Sequence, residues 1–212
     1  MAANRPIPQI REEKLNTWSH GLGVVLALVG SLVLLQRDPG NIPYLTGSLW
    51  AYCLSLILLF SASTIYHGTV DPKLRKKLRI VDHISIYYLI AGTYTPVCLT
   101  LLLESKGWSL FYLVWGIALF GTLLKIFFTG RFEVFSVALY GVMGWLIVID
   151  LPHLLDVLSA EGILYFALGG GSYTLGILFY AVRKIPYNHF IWHLFVLAGA
   201  IFHWLLILGL LA

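Results

Sequence analysis

Apolar residues run along this chain in long blocks broken by short polar connections. A helix crossing a hydrocarbon core about 30 Å thick needs about 20 mainly apolar residues. Seven blocks meet that length, at about 19–36, 46–67, 80–103, 108–128, 133–151, 161–182 and 190–211. The breaks between them carry turn chemistry: Asp38-Pro39-Gly40-Asn41, Asp71-Pro72, Ser105-Lys106-Gly107, Thr129-Gly130-Arg131 and Lys184-Ile185-Pro186. Pro152 is expected to end the fifth span, and Pro96 to kink the third. The pattern predicts an all-α fold, with residues 1–212 forming a single seven-transmembrane-helix bundle.

Composition agrees. The chain has 212 residues, 59% apolar and 11% charged, with a mean hydropathy of +0.85. A soluble domain carries about 25% charged residues, so the missing charge marks an integral membrane protein. A net charge of +4 could suit nucleic acid, but the basic residues sit between the apolar blocks, where membrane orientation explains them. Arg5, Arg11, Lys14, Lys73, Arg75, Lys76, Lys77, Arg79, Lys125, Arg131, Arg183 and Lys184 all fall on one side, and only Arg37 and Lys106 on the other. The positive-inside rule then predicts a cytoplasmic N-terminus and an external C-terminus, in the cell membrane. The alternation also favours seven spans over six or eight. The first block follows basic residues as a signal peptide would, but no small-residue cleavage pattern follows it, so it reads as a retained helix. Cys53 and Cys98 fall inside apolar blocks and read as small core residues. Trp18, Trp50, Trp108 and Trp204 lie near span ends, as interfacial anchors do.

The histidines carry the chemistry. His189 and His193 are four apart at the start of the last span, so they share a helix face about 6 Å apart along the axis. On the predicted topology His67 ends span 2 at the same depth, and Asp82 starts span 3 there. Ser63 lies one turn deeper than His67. Ionisable groups within a membrane are functional candidates. Three neutral imidazoles, His67, His189 and His193, would leave a fourth position on Zn²⁺ open to water, as in catalytic zinc sites. The bound water's pKa can fall to about 7. Asp82 or Ser63 would hydrogen-bond that water or fix a ligating ring. Imidazole donors favour zinc over magnesium or calcium.

Simpler readings stand beside these. His189 and His193 could snorkel at the interface. Asp82 could serve the dipole of its helix from the first turn, and Ser63 could bond its own helix or pack two helices closely. His20 follows Asn16 and Ser19, either of which could cap span 1; it could instead support a ligand ring. His83 is about 100° around the helix from Asp82 and reads as structural. His203, about 15 Å beyond His193, reads as a buried, hydrogen-bonded residue, and His153 is excluded by depth. Gly169-Gly170-Gly171 follows no strand and reads as a close helix contact, not a phosphate loop.

Glu13-x-x-Asn16-x-x-Ser19-His20, Ser63-x-x-Tyr66-His67, Asp82-His83 and His189-x-x-x-His193-x9-His203 together resemble the hemolysin III family in order and spacing. That family is grouped with the progestin and adipoQ receptors, including the adiponectin receptors, and resembles the membrane hydrolases that include alkaline ceramidases. The resemblance covers almost the whole chain. It implies a seven-helix bundle with a cytoplasmic N-terminus and zinc near the cytoplasmic face. Carried over motif by motif, His67, His189 and His193 are the metal ligands, with Asp82 and Ser63 beside the bound water. The chain lacks the receptors' long N-terminal extension and has His83 after the aspartate, which argues against a hormone-receptor role.

Three functions follow as expectations. The first is a zinc-dependent hydrolase of lipid amides acting on membrane lipids, ceramide-like by resemblance, with Asp82 as proton shuttle and Ser63 orienting the water or oxyanion. The second is a non-enzymatic sensor or regulator of membrane homeostasis in which zinc staples spans 2 and 7. The third, implied by the family name, is a cytolytic pore, which the absence of a polar-faced helix stripe opposes. Nucleic acid is not an expected partner, and neither the oligomeric state nor the substrate is encoded legibly.

Overall fold

A computed structural model describes residues 7–128, 133–182 and 184–211. Its elements are α1 (Ile7–Arg37), α2 (Leu45–Gly68), α3 (Pro72–Pro96), α4 (Gly107–Phe128), α5 (Glu133–Trp145), α6 (Leu151–Val157), α7 (Ala160–Ala181) and α8 (Asn188–Gly209). Among the described residues there is no strand. Seven helical stretches are long and apolar enough to cross a membrane, the fifth being Val134–Val157, which joins α5 and α6 through a 3₁₀ segment at Leu146–Asp150. The fold is all-α, as expected. Consecutive spans pack side by side, and α8 returns against α1 to close the ring.

The boundaries differ from the hydropathy pattern where helices extend beyond their apolar blocks. α1 begins at Ile7, so Asn16 and Ser19 lie inside the helix and neither is its cap. α3 begins at Pro72, with the Asp71 carboxylate accepting from Leu74 N at 2.7 Å. An Asp N-cap followed by Pro is a strong start signal. It takes Lys73, Arg75, Lys76, Lys77 and Arg79 into the helix, and it puts Asp82 in the third turn. The dipole reading of Asp82 fails for that reason, because the field falls off within the first turn.

Prolines act at two joints. At Pro96 the α-helix gives way to a π-helical turn, Val97–Leu101, whose Leu102 N reaches back five residues to Val97 O at 3.1 Å. Pro152 does not end the fifth span. It occupies the first turn of α6, where its missing N–H has no intrahelical partner to lose. Thr129-Gly130-Arg131 lies outside the described residues.

Cys53 and Cys98 are free and buried, as expected. Trp18 and Trp50 are exposed, but Trp204 is not an interfacial anchor: its Nε1 donates to Gly30 O at 3.1 Å, tying α8 to α1. Lys125, assigned by sequence to a connection, is buried within α4. Gly169 does admit a close contact, since a Cβ there would lie 2.6 Å from the His203 ring, whereas Gly170 and Gly171 face open space.

Candidate metal centre

Two helices bring the imidazoles together. α2 ends with His67 in its last turn, and α8 starts at Asn188, placing His189 and His193 in its first two turns. Tyr187, immediately before α8, is in the left-handed region at φ 56°, so the chain turns sharply into the helix. One ligand atom from each of His67, His189 and His193 lies within 4.8 Å of the others, close enough for the three to hold one metal ion. Ring centroids are 5.1 Å apart for His67–His189 and 4.8 Å for the other two pairs. His67 and His193 are buried and His189 is half-buried.

The first helix fixes the tautomers. His67 Nδ1 lies 2.7 Å from Glu13 Oε2, and at that distance Nδ1–H donates to the carboxylate. Asn16 Nδ2, 3.5 Å from the same nitrogen, is itself a donor and therefore only a neighbour. Nε2 of His67 is left with the lone pair, sealed from solvent and without a partner among the described residues. A buried acceptor left unmatched by the protein is the donor that a metal ligand requires. On His193, Nδ1 lies 3.4 Å from Ser19 Oγ. The Ser19 hydroxyl hydrogen is already given to Asn16 O at 3.1 Å, so His193 Nδ1–H is the donor and Nε2 again keeps its lone pair. The donor chemistry therefore fits a metal that accepts three neutral imidazoles.

Glu13 is held in turn by Arg75, which pairs with its other oxygen and donates to Tyr66 O at 3.1 Å and Thr69 O at 3.3 Å. Glu12 Oε1 accepts from the backbone N–H of His189 at 3.1 Å, and a carboxylate is favourable at the N-terminus of α8. His20 stacks on His193 at 3.6 Å between centroids and meets Phe60 edge-on at 5.1 Å. It supports a ligand ring, and among the described residues neither of its sealed ring nitrogens has a hydrogen-bond partner.

Two cavities meet at the trio. A polar one of about 340 Å³ is lined by Gln9, Glu12, Glu13, Asn16, Tyr66, His67 and His189. The other, about 590 Å³, is mainly apolar and runs from His20, Ser63, Asp82, His189 and His193 to His203 and Leu206. Ser63 and Asp82 are buried, and the Ser63 hydroxyl is within hydrogen-bonding reach of the Asp82 carboxylate. Both predicted polar partners thus line the cavity that His189 and His193 bound. His83, read from sequence as structural, lines it too, while its carbonyl accepts from Tyr140 Oη at 2.9 Å. His203 is also in the wall, and among the described residues its Nδ1 lacks the hydrogen bond expected of it. His153, on α6, is not in that wall.

Comparison with known proteins settles the family. The haemolysin-III related family profile matches residues 8–204. The chain belongs to that family. It is 42% identical over 197 residues to the Hemolysin-3 homolog of Bacillus subtilis, covering 90% of each chain. It is 38% identical over 192 residues to Hemolysin-3 of Bacillus cereus, covering 90% of this chain and 88% of that one. Human monocyte to macrophage differentiation factor is 29% identical over 214 residues, covering 96% and 86%. This haemolysin-III related chain is thus a multi-pass membrane protein with a three-histidine group that could hold a metal.

Glu13, Asn16 and Ser19 were not expected to touch the histidines. A signal was present: their three-residue spacing puts them along one face of a helix. It is usable only once α1 is known to start before them.

Proposed function

We propose that this chain is a zinc-dependent hydrolase acting on amide bonds of membrane lipids, with the histidine trio facing the cytoplasmic leaflet of the cell membrane. The observation that carries the reading is the junction of the trio with an apolar cavity of about 590 Å³ whose wall includes Ser63 and Asp82. That volume lies within the roughly 300–1,000 Å³ of small-molecule sites, which combine an apolar lining with a few convergent polar groups.

Zn²⁺ held by His67, His189 and His193 would supply Lewis acidity and lower the pKa of a water at the site. Glu13 and Ser19 hold the His67 and His193 rings with their lone-pair nitrogens inward. Asp82 takes a proton from the attacking water and returns it to the leaving amine. Ser63 gives its one hydroxyl hydrogen to the Asp82 carboxylate, orienting that base, and its lone pairs accept from the attacking water. The apolar wall receives an acyl chain and keeps bulk water from the bond.

The test is metal content and lipid turnover of purified protein and its His67→Ala, His189→Ala, His193→Ala and Asp82→Asn variants. Each histidine variant is expected to lose stoichiometric zinc and hydrolysis, while Asp82→Asn keeps zinc and loses at least 100-fold in rate, the lower range for general acid–base catalysis. Full turnover by demetallated protein would sink the proposal.

A second reading, a regulator stapled by metal, draws on the ties that run from α1 to both α2 and α8 through Glu13 and Ser19. It predicts that zinc removal lowers the unfolding temperature while no lipid product ever appears.

A further inference from the structure

The large cavity continues well past the histidine trio. His203 follows His193 by ten residues on α8, about 15 Å along the axis at 1.5 Å per residue, and lies in the wall of the same cavity with Tyr173 of α7. The two rings are 5.4 Å apart between centroids. Each packs over a glycine of the facing helix: a Cβ on Gly169 would come within 2.6 Å of His203 Nε2, and one on Gly199 within 2.8 Å of the Tyr173 ring. The α7–α8 contact is therefore shaped around these two polar rings.

Nothing in the described protein satisfies them. Nδ1 of His203 and the hydroxyl of Tyr173 are sealed and have no hydrogen-bond partner. Buried polar groups are rarely left so, and each such atom needs a physical reason. Leucine and phenylalanine would fill the same volume without the cost of polar atoms at membrane depth.

We propose that His203 and Tyr173 form a polar subsite for a hydroxyl group partway along the acyl chain of a lipid whose polar end lies at the histidine trio. This rests on the reading of the cavity as an acyl site. A hydroxyl both donates and accepts, so it serves either tautomer of His203 and the Tyr173 hydroxyl together. The χ2 torsion of histidine is broad and two-fold, and a flip exchanges Nδ1 with Cδ2 in the wall-lining ring. The separation sets the register: about 15 Å of extended chain is roughly a dozen carbons, since each bond of about 1.5 Å advances somewhat less than its length. The ligand class is a fatty acyl chain hydroxylated near its twelfth carbon.

The experiment measures binding of octadecanoic acid and 12-hydroxyoctadecanoic acid to the full-length zinc-loaded protein in nanodiscs. The wild type is expected to bind the hydroxy acid about fivefold more tightly, the order of one net hydrogen bond. His203→Leu should lose that preference while keeping its affinity for octadecanoic acid, which also reports that it is folded. Tyr173→Phe should lose part of it, and His203→Gln, which keeps a hydrogen-bonding amide, should retain part. Equal affinity in the wild type, or a preference that survives in both His203→Leu and Tyr173→Phe, would overturn the subsite alone. Failure of the wild type to bind either acid would overturn the acyl reading of the cavity and the subsite with it.

Discussion

Glu13→Gln isolates the contribution of α1 to the metal centre. Glu13 accepts from His67 Nδ1 at 2.7 Å through one oxygen and pairs with Arg75 through the other. Gln keeps the shape and one acceptor but loses the charge. A hydrogen bond to a charged group contributes about 1.5–3 kcal/mol and a neutral one about 0.5–1.5 kcal/mol, so the exchange weakens the hold on His67 by about 1.5 kcal/mol. That corresponds to about tenfold in affinity, within the roughly 10–100-fold that outer partners of metal-ligating histidines contribute. Arg75 stays anchored through Tyr66 O and Thr69 O, so the α2–α3 connection should not move. The assay is competition for Zn²⁺ against a chromogenic chelator, with thermal unfolding of the metal-free protein as control. Expected are about tenfold weaker zinc binding in Glu13→Gln and a larger loss in Glu13→Ala, with little change in the unfolding temperature of either apo form. Zinc affinity equal to wild type in Glu13→Gln, alongside complete loss in His67→Ala, would refute the claim that the charge on this carboxylate strengthens His67 as a ligand.

Two further predictions concern the scaffold. Gly92→Ala drives a methyl group against the Ser55 hydroxyl, 2.7 Å from Ser55 Cβ and 3.1 Å from Ala51 O; it should destabilise the α2–α3 contact by about 1–3 kcal/mol, read as a lowered unfolding temperature. Gly116→Ala, where a Cβ meets open space, should show no such loss. Asp71→Ala removes the acceptor of Leu74 N–H and should cost about 1 kcal/mol, again seen in thermal unfolding, with zinc binding retained.

The membrane helices and the trio were legible for different reasons. Hydropathy marks a span because lipid leaves no polar partner for the backbone, and i,i+4 spacing places His189 beside His193 without any tertiary information. His67 and Asp82 needed one further step, the shared depth that follows from alternating spans. What hydropathy conceals is helix outside the apolar block. Arg11-Glu12-Glu13-Lys14 looks like a charged flank, yet it is the first part of α1 and carries Glu13, which holds the His67 ring, and Glu12, which accepts from the His189 backbone N–H. The same blindness moved the start of α3 from Pro72 to about residue 80, although Asp71-Pro72 is a start signal that capping chemistry alone could have read. His203 was misread for another reason: sequence gives its depth but not whether a partner faces it, and among the described residues none satisfies its Nδ1.

The cavity weighs between the two readings of the metal centre. A metal staple needs the trio and its anchors on α1, and close packing everywhere else. Apolar space left unfilled costs about 24 cal/mol per Å³, so at about 590 Å³ an empty cavity would cost on the order of 14 kcal/mol. That is comparable with the whole stability of an ordinary domain, about 5–15 kcal/mol. A purely structural protein would be stabilised by closing it with larger side chains. This chain instead keeps Gly141, Gly144, Gly170 and Gly171 in the wall, as the proposed lipid site requires, and in a bilayer the abundant apolar molecule is one with an acyl chain. With Ser63 and Asp82 at the end where the histidines meet, such a chain would hold its polar end against the metal centre. The decisive comparison is therefore wild type against a wall-filling Gly144→Leu variant. Both should bind zinc alike, because the trio and its anchors lie on α1, α2 and α8. If the metal only staples the bundle, filling the wall should raise the unfolding temperature and change nothing else; if the cavity is the substrate site, lipid turnover should fall while zinc stays bound.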